Sequence, residues 1–167
     1  MNSLRVIAAG FVFAFVAIAS AQINVSSPAF QAGGTIPARF TCKGANVNPP
    51  LQFQGIPKAA KCLVLIVDDP DAPGHLFTHW LIWNIDPGTT QLREKSLPAG
   101  AIEGTNDFGD RGYGGPCPPS GTHRYFFRLF ALDQKMTLKS GAKRSVVDSA
   151  LKNRILAHDA LMARFTH

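Results

Sequence analysis

Two carboxylates framed by prolines stand near the middle of the chain. The segment Asp69-Pro70-Asp71-Ala72-Pro73 comes just after residues 62–67, all of which are apolar. Each proline ring restricts the backbone around the acids, so they could be held in place as hydrogen-bond acceptors. Asp and Pro also dominate ordinary turns. On its own, the segment therefore also fits a turn that ends a strand.

Two histidines and a loop rich in glycine and proline follow. His79 precedes Trp80, and a lone histidine beside aromatics is usually a core histidine with a satisfied hydrogen bond. Residues 109–121 lead into His123-Arg124-Tyr125 and fit a flexible connector at first sight. Three prolines within the four residues 116–119 argue against flexibility. The glycines would let backbone N–H groups approach a ligand closely.

Taken together, these groups predict a pocket for an oxyanion. The imidazoles of His79 and His123, the phenol of Tyr125 and backbone N–H groups are all hydrogen-bond donors. A neighbouring Asp could accept from one imidazole nitrogen and so fix the tautomer of that ring. A concave site with few polar contacts is typical of small-molecule binding.

Short strands must position these residues. The 15 glycines and 12 prolines divide the chain into short segments separated by turns. Aromatic and branched residues predict strands at 36–41, 51–54, 62–67, 78–86 and 122–132. Alternation predicts that one face of 78–86 carries His79, Leu81, Trp83 and Ile85. It also predicts that one face of 122–132 carries His123, Tyr125, Phe127 and Leu129.

The C-terminal segment has a helical pattern instead. Ser145 and Asp148 have the spacing of a capping box. Apolar residues then recur at about helical spacing, which predicts an amphipathic helix over residues 146–164. Runs of strands followed by one helix indicate a mainly β fold, a β-sandwich with a C-terminal α-helix.

The motifs resemble those of a known family. DPDAP at 69–73, His-Trp at 79–80 and GPCPPSGTHRY at 115–125 resemble the two signature regions of phosphatidylethanolamine-binding proteins. Their order and spacing are similar to the bacterial, Raf kinase inhibitor-like branch. The resemblance runs from Ser27-Pro28-Ala29-Phe30 to the terminal segment. It implies an antiparallel β-sandwich forming a single domain over residues 22–167.

The resemblance also implies a ligand site and its residues. In the family, the matching positions surround a small cavity that takes phosphate, phosphorylethanolamine, acetate or similar anions. We expect no cofactor and no metal. The spacer at residues 74–78 is shorter than in the eukaryotic branch, so a phospholipid headgroup preference does not carry over directly. The implied ligand-binding residues are Asp69, Asp71, Pro73, His79, Gly115, Pro116, Pro118, Pro119, His123 and Tyr125.

The three cysteines allow one disulfide. An odd count leaves one thiol free or paired between chains. Cys62 opens an apolar run, where a cysteine packs as a small hydrophobe. Cys42 and Cys117 lie in polar or Gly/Pro-rich surroundings, and related bacterial sequences often have cysteines at both places. We therefore predict a Cys42–Cys117 disulfide.

The N-terminus has the pattern of a secretory signal. One positive charge at Arg5 precedes the apolar residues 6–18, and Ala19-Ser20-Ala21 provides a small-residue cleavage site. A transmembrane anchor would need about 20 apolar residues, and this run is shorter. We predict a signal peptide over residues 1–21 and a secreted or periplasmic protein.

Charge and composition limit the partners. The chain has 17 Lys and Arg against 11 Asp and Glu, scattered along its length. Nucleic-acid binding normally needs a clustered basic face, so we expect no nucleic-acid partner. A modest basic excess favours a small anionic ligand and allows contact with a membrane surface. A homodimer is also compatible with the sequence.

Two other functions use the same residues. A secreted hydrolase could employ Asp69, His79 and His123 as acid and base. No G-x-S-x-G motif supplies its nucleophile, and Cys117 could do so only as a free thiolate.

A zinc site could use His75, His79, His123 and Asp71. The four-residue spacing of the first two histidines suits a helix, which this segment does not resemble. We therefore favour a non-catalytic binding protein.

Overall fold

Two antiparallel sheets are packed face to face. The computed structural model describes residues 22–167, so the signal peptide predicted over residues 1–21 lies outside the described residues. The strands are β1 Asn24–Ser26, β2 Leu51–Gln54, β3 Cys62–Asp69, β4 Phe77–Ile85, β5 Gln91–Leu92, β6 Ile102–Glu103, β7 Thr122–Leu132 and β8 Ile155–Thr166. The smaller sheet has the order β1-β2-β5, and the larger has the order β6-β4-β3-β7-β8. Helix α1, Arg144–Leu151, precedes the last strand. The predicted mainly β sandwich with a C-terminal α-helix is confirmed.

The central strand β3 is buried on both faces. Leu63, Leu65 and Val67 pack in the core between the two sheets. Val64 and Ile66 pack in a second core on the other face, beneath α1. This double burial explains the unbroken apolar run, because each face of the strand meets an apolar layer. At the end of β3, Asp68 and Asp69 therefore point to opposite faces of the sheet.

Strand β4 departs from strict alternation. Leu81 and Trp83 pack beneath α1, whereas Ile85 faces the core between the sheets, so the single predicted face is wrong. The β3–β4 register shifts between Leu63 and Leu65 and again between Val67 and Asp68. Each irregularity resets which face a side chain occupies. On β7, by contrast, Tyr125, Phe127 and Leu129 share one face as predicted.

The helix predicted over residues 146–164 is wrong in extent. Helix α1 begins with Lys143 as an N-cap that makes no side-chain hydrogen bond, so the predicted capping box is absent from it. The helix ends at Leu151, and Asn153 has a positive φ of 61° that ends a helical path. β8 then pairs with β7 along its whole length. Within residues 22–167, no helix is long and apolar enough to span a bilayer.

The strand predicted at 36–41 is also wrong. Its middle is a 3₁₀-helix, Ala38–Phe40. Pro37, at φ −58°, precedes that turn, and proline favours the start of a helical segment. The backbone N–H of Thr41 then donates to the carbonyl of Ala38 at 3.0 Å.

Candidate functional site

A cavity of about 230 Å³ opens where β3 ends and where β4 and β7 begin. The loop at 109–121 closes one side of it. Four polar residues that the sequence predicted to converge, Asp69, His79, His123 and Tyr125, all lie on its wall. The other lining residues are Ala72, Pro73, His75, Phe77, Phe108, Cys117, Pro118 and Pro119.

Asp69 and His123 form a buried pair on this wall. Nδ1 of His123 donates to Oδ2 of Asp69 across 2.7 Å. The second carboxylate oxygen of Asp69 accepts the backbone N–H of Asp71 at 2.8 Å. Since an ionised carboxylate only accepts, Nδ1 carries the proton. Nε2 is the nitrogen of His123 that is left for a ligand.

His79 is oriented by the backbone of the glycine loop. Its Nδ1 lies 2.7 Å from the carbonyl oxygen of Gly114, so Nδ1 again carries the proton. Burial lowers the pKa of His79, and the carbonyl of Gly114 and the carboxylate of Asp69 oppose that effect only in part. The ring is therefore held neutral at physiological pH. The two histidines differ in role, because His79 does not supply positive charge.

The hydroxyl of Tyr125 is a buried donor beside the carboxylate of Asp69. Within the described residues its oxygen makes no hydrogen bond of ordinary geometry. Burial, and then the charge and hydrogen-bonding contact of Asp69, raise the pKa of the phenol, so it stays protonated. Among residues 22–167, Thr78 Oγ1 and Trp83 Nε1 are also unpaired, but neither residue lines this cavity. The tyrosine hydroxyl is thus available to a bound acceptor.

The opposite side of the cavity is aromatic. The rings of Phe77 and Phe108 meet edge to face with centroids 4.8 Å apart. Phe108 also contacts the His79 ring, at a centroid distance of 5.4 Å. The sequence motifs predict neither phenylalanine, nor Ala72, as a site residue. An aromatic side chain in the polar loop 106–110 was the signal that could have identified Phe108.

Three predicted site residues shape the surroundings without lining the cavity. Asp71 is bound by Arg124 through Nε at 2.8 Å and Nη2 at 2.7 Å. This guanidinium lowers the pKa of Asp71 to about 2.

Gly115 donates its N–H to Asn46, and a Cβ at Gly115 would lie 2.5 Å from the carbonyl oxygen of Phe40. The carbonyl of Pro116 accepts the N–H of Cys42 at 3.1 Å.

The Cys42–Cys117 disulfide is confirmed, with a Cα–Cα distance of 5.4 Å. Cys117 borders the cavity, and its sulfur is committed to this bond, so it cannot be a thiolate nucleophile. Cys62 is free and buried, and burial raises the pKa of its thiol. Nothing in this geometry supports the hydrolase alternative.

The residues considered for zinc do not form a ligand cluster, although His75, His79 and His123 line the same cavity. Among residues 22–167, no group of three His, Cys, Asp or Glu side chains is arranged to hold a metal ion. Nε2 of His75 lies 3.9 Å from a carboxylate oxygen of Asp107, and Asp71 is paired with Arg124. The zinc alternative is therefore not supported.

Known proteins share this sequence and this fold. The sequence profile named phosphatidylethanolamine-binding protein matches residues 26–166. A UPF0098 protein of Methanothermobacter thermautotrophicus is 47% identical over 148 residues, which cover 86% of this chain and 98% of the relative. The crystal structure of a PEBP homologue from Chlamydia trachomatis has a TM-score of 0.85 at 36% identity and covers 89% of this chain and 99% of its own. Escherichia coli YbcL, a member of the mammalian PEBP family, has a TM-score of 0.83 at 31% identity, covering 88% and 99%. The motifs, the fold and these relatives agree that the chain belongs to the phosphatidylethanolamine-binding protein family.

Proposed function

We propose that this protein is exported and binds a small oxyanion, phosphate or a phosphate-like headgroup, without catalysing a reaction. The observation that carries the proposal is the Tyr125 hydroxyl, a buried donor of a cavity-lining residue that makes no hydrogen bond of ordinary geometry among the described residues, although Asp69 lies near it. Leaving such a group unpaired costs about 1–3 kcal/mol. A ligand oxygen would remove that cost.

The hydrogen-bond donors of the site support an anion. When His123 is protonated, its Nε2 becomes a second donor beside the Tyr125 hydroxyl. The carboxylate of Asp69 faces Nδ1 of the same ring, on the side away from Nε2. A cavity of about 230 Å³ suits a small ligand. The names of the solved relatives refer to phosphatidylethanolamine, whose headgroup is a phosphate ester.

Calorimetric titration with inorganic phosphate at about pH 5.5 tests the binding. We expect one phosphate per chain, and Tyr125→Phe should weaken binding about tenfold because it removes one charge-assisted hydrogen bond. Tyr113→Phe is the matched control, since its hydroxyl donates to the carbonyl of Phe40 and the residue does not line the cavity. No binding by the wild-type protein would reject the proposal.

The absence of catalysis has its own test. Phosphoethanolamine incubated with the protein and followed by ³¹P NMR should keep its ester bond intact. Release of phosphate by the wild-type protein, lost in His123→Ala, would instead show that the pocket hydrolyses its ligand.

Export is supported by the N-terminal pattern and by the disulfide, since such bonds persist in oxidising compartments. Expression of the full chain in a Gram-negative bacterium should yield a periplasmic protein that begins at Gln22. A cytoplasmic protein that retains residues 1–21 would contradict this. The predicted contact with a membrane surface and the predicted homodimer stay predictions.

A further inference from the structure

A second cavity lies behind one aromatic ring of the anion pocket. It has a volume of about 220 Å³ and lies beside the disulfide, where Asn46, Asp110 and Tyr113 line it. Phe108 and Cys117 belong to the walls of both cavities. Cys117 is fixed by its bond to Cys42. The Phe108 side chain is therefore the movable part of the shared wall.

The backbone that carries Phe108 is firmly held. Oδ1 of the buried Asn106 accepts the N–H groups of Phe108 and Asp110, each at 3.0 Å. Nδ2 of Asn106 donates to the carbonyl of Gly112 at 3.0 Å. The loop thus fixes where the Phe108 Cα stands, and only the side-chain rotamer is left to vary.

The position of the ring depends on a glycine. A Cβ at Gly114 would lie 2.4 Å from a ring carbon of Phe108, so the absence of a side chain there makes room for the ring. The other side of the ring contacts Phe77 and His79. The Phe108 side chain is nonetheless 48% exposed. Packing therefore holds the ring between the cavities, while its open side leaves space for it to turn.

We infer that Phe108 is a specificity-determining residue that keeps phosphomonoesters bearing an aromatic group out of the anion pocket. This inference rests on the proposed function. With the ring in place, an aromatic substituent on a bound phosphate meets the ring instead of the second cavity. Without the ring, the two spaces become continuous, and the pocket accepts phosphomonoesters that bear a small aromatic group.

Calorimetry with inorganic phosphate and phenyl phosphate tests the inference on wild type, Phe108→Ala and Leu97→Ala. Leu97 is an exposed leucine, 42% accessible, that lines neither cavity. Phe108→Ala should raise the affinity for phenyl phosphate about tenfold, because the phenyl ring then occupies the freed apolar space. Its affinity for phosphate should change by less than about threefold. Leu97→Ala should match the wild type with both probes.

An unchanged ratio of the two affinities in Phe108→Ala would overturn the inference while leaving phosphate binding intact. Absence of phosphate binding by the wild-type protein would reject the proposed function and this inference together, so the two failures are distinct. Phe108→Leu, which keeps an apolar side chain on the loop, should give an intermediate ratio. If the alanine variant unfolds, the leucine variant decides, and a wild-type ratio in it counts against the inference.

Discussion

Nδ1 of His123 lies 2.7 Å from Oδ2 of Asp69, and both side chains are buried beside the cavity. This contact determines what the other ring nitrogen can do. With Nδ1 donating to the carboxylate, a neutral ring has only a lone pair at Nε2. Nε2 donates to a ligand only when the ring is positively charged.

Oxyanion binding should therefore depend on pH. Sulfate, whose charge is constant over this range, should bind more tightly at about pH 5.5 than at about pH 8.5, because Nε2 is a donor only on a charged imidazole. His123→Ala should weaken binding at the lower pH by about tenfold or more. His158→Ala is the control, since the His158 ring lies near Phe130, with centroids 6.0 Å apart, outside the cavity. Equal calorimetric affinities at both pH values would assign binding to the loop backbone instead.

Asp69→Asn should flatten this pH dependence. An asparagine amide can donate to Nδ1, so the neutral ring can then carry its proton on Nε2 and still bind the anion. Asp86→Asn should keep the wild-type dependence, because Asp86 accepts the N–H of Gly88 outside the cavity. For each variant, the pH dependence is measured as the ratio of its sulfate affinities at the two pH values. A steep dependence in Asp69→Asn would show that the carboxylate does not set the tautomer.

Acidification should destabilise the fold through His79. Burial lowers the pKa of His79 below its ordinary 6.5, so the unfolded chain binds the proton more tightly than the folded one. The stabilisation is fully present above pH 6.5 and is lost as the pH falls from there toward the folded-state pKa. Urea unfolding at about pH 7.5 and pH 5 should show a smaller loss of stability in His79→Gln than in wild type. His75→Gln, at an exposed histidine, should behave as wild type.

Removal of the disulfide should destabilise the protein and loosen the pocket wall. The bond closes a loop with a sequence separation of 75. For a loop of that length, the chain-entropy model gives a loss of about 4 kcal/mol in the free energy of unfolding. Double substitution of Cys42 and Cys117 by Ala should show this in denaturant titration, together with weaker phosphate binding. Cys62→Ala, which keeps the disulfide, should bind phosphate as the wild type does.

Asp68 should contribute strongly to stability and little to binding. Its carboxylate is fully buried and is bound by Arg128 at 2.9 Å and Arg144 at 3.1 Å. Asp68→Asn should lower the free energy of unfolding by about 3 kcal/mol, because the arginines lose their buried counter-charge. Arg39→Ala, which breaks an exposed pair with Glu94, should produce no measurable change. Similar effects of the two substitutions on thermal unfolding would contradict this.

The sequence best predicts those elements whose local pattern is compatible with only one kind of structure. The apolar run of β3 fits only a strand or helix buried all around, and its short length favours a strand. The rigid Pro-rich segments at 69–73 and 116–119 indicated that Asp69, His123 and Tyr125 would lie around one cavity, and the structure has them there. In these places, backbone restriction leaves few conformations to choose from.

The errors arise where distant partners decide. In residues 155–166, apolar side chains fit the helical period and also alternate at Leu161, Ala163 and Phe165. Pairing with β7 satisfies the backbone and selects the strand. The Asp71 side chain lies outside the cavity because Arg124, 53 residues away in the sequence, binds its carboxylate. The bulge beside His79 likewise depends on how β3 and β4 align, which neither segment encodes alone.

The adjacent acids Asp68 and Asp69 fix how β3 aligns with its neighbours. A slip by one residue in one direction would place Val67 against Arg128 and Arg144, which need a carboxylate. A slip in the other direction would put Pro70 opposite Nδ1 of His123. Both alternative alignments leave a charged or polar group without its partner. The two acids therefore favour the observed alignment on both faces of the sheet at once. A single-residue insertion or deletion in β3 would disrupt that alignment.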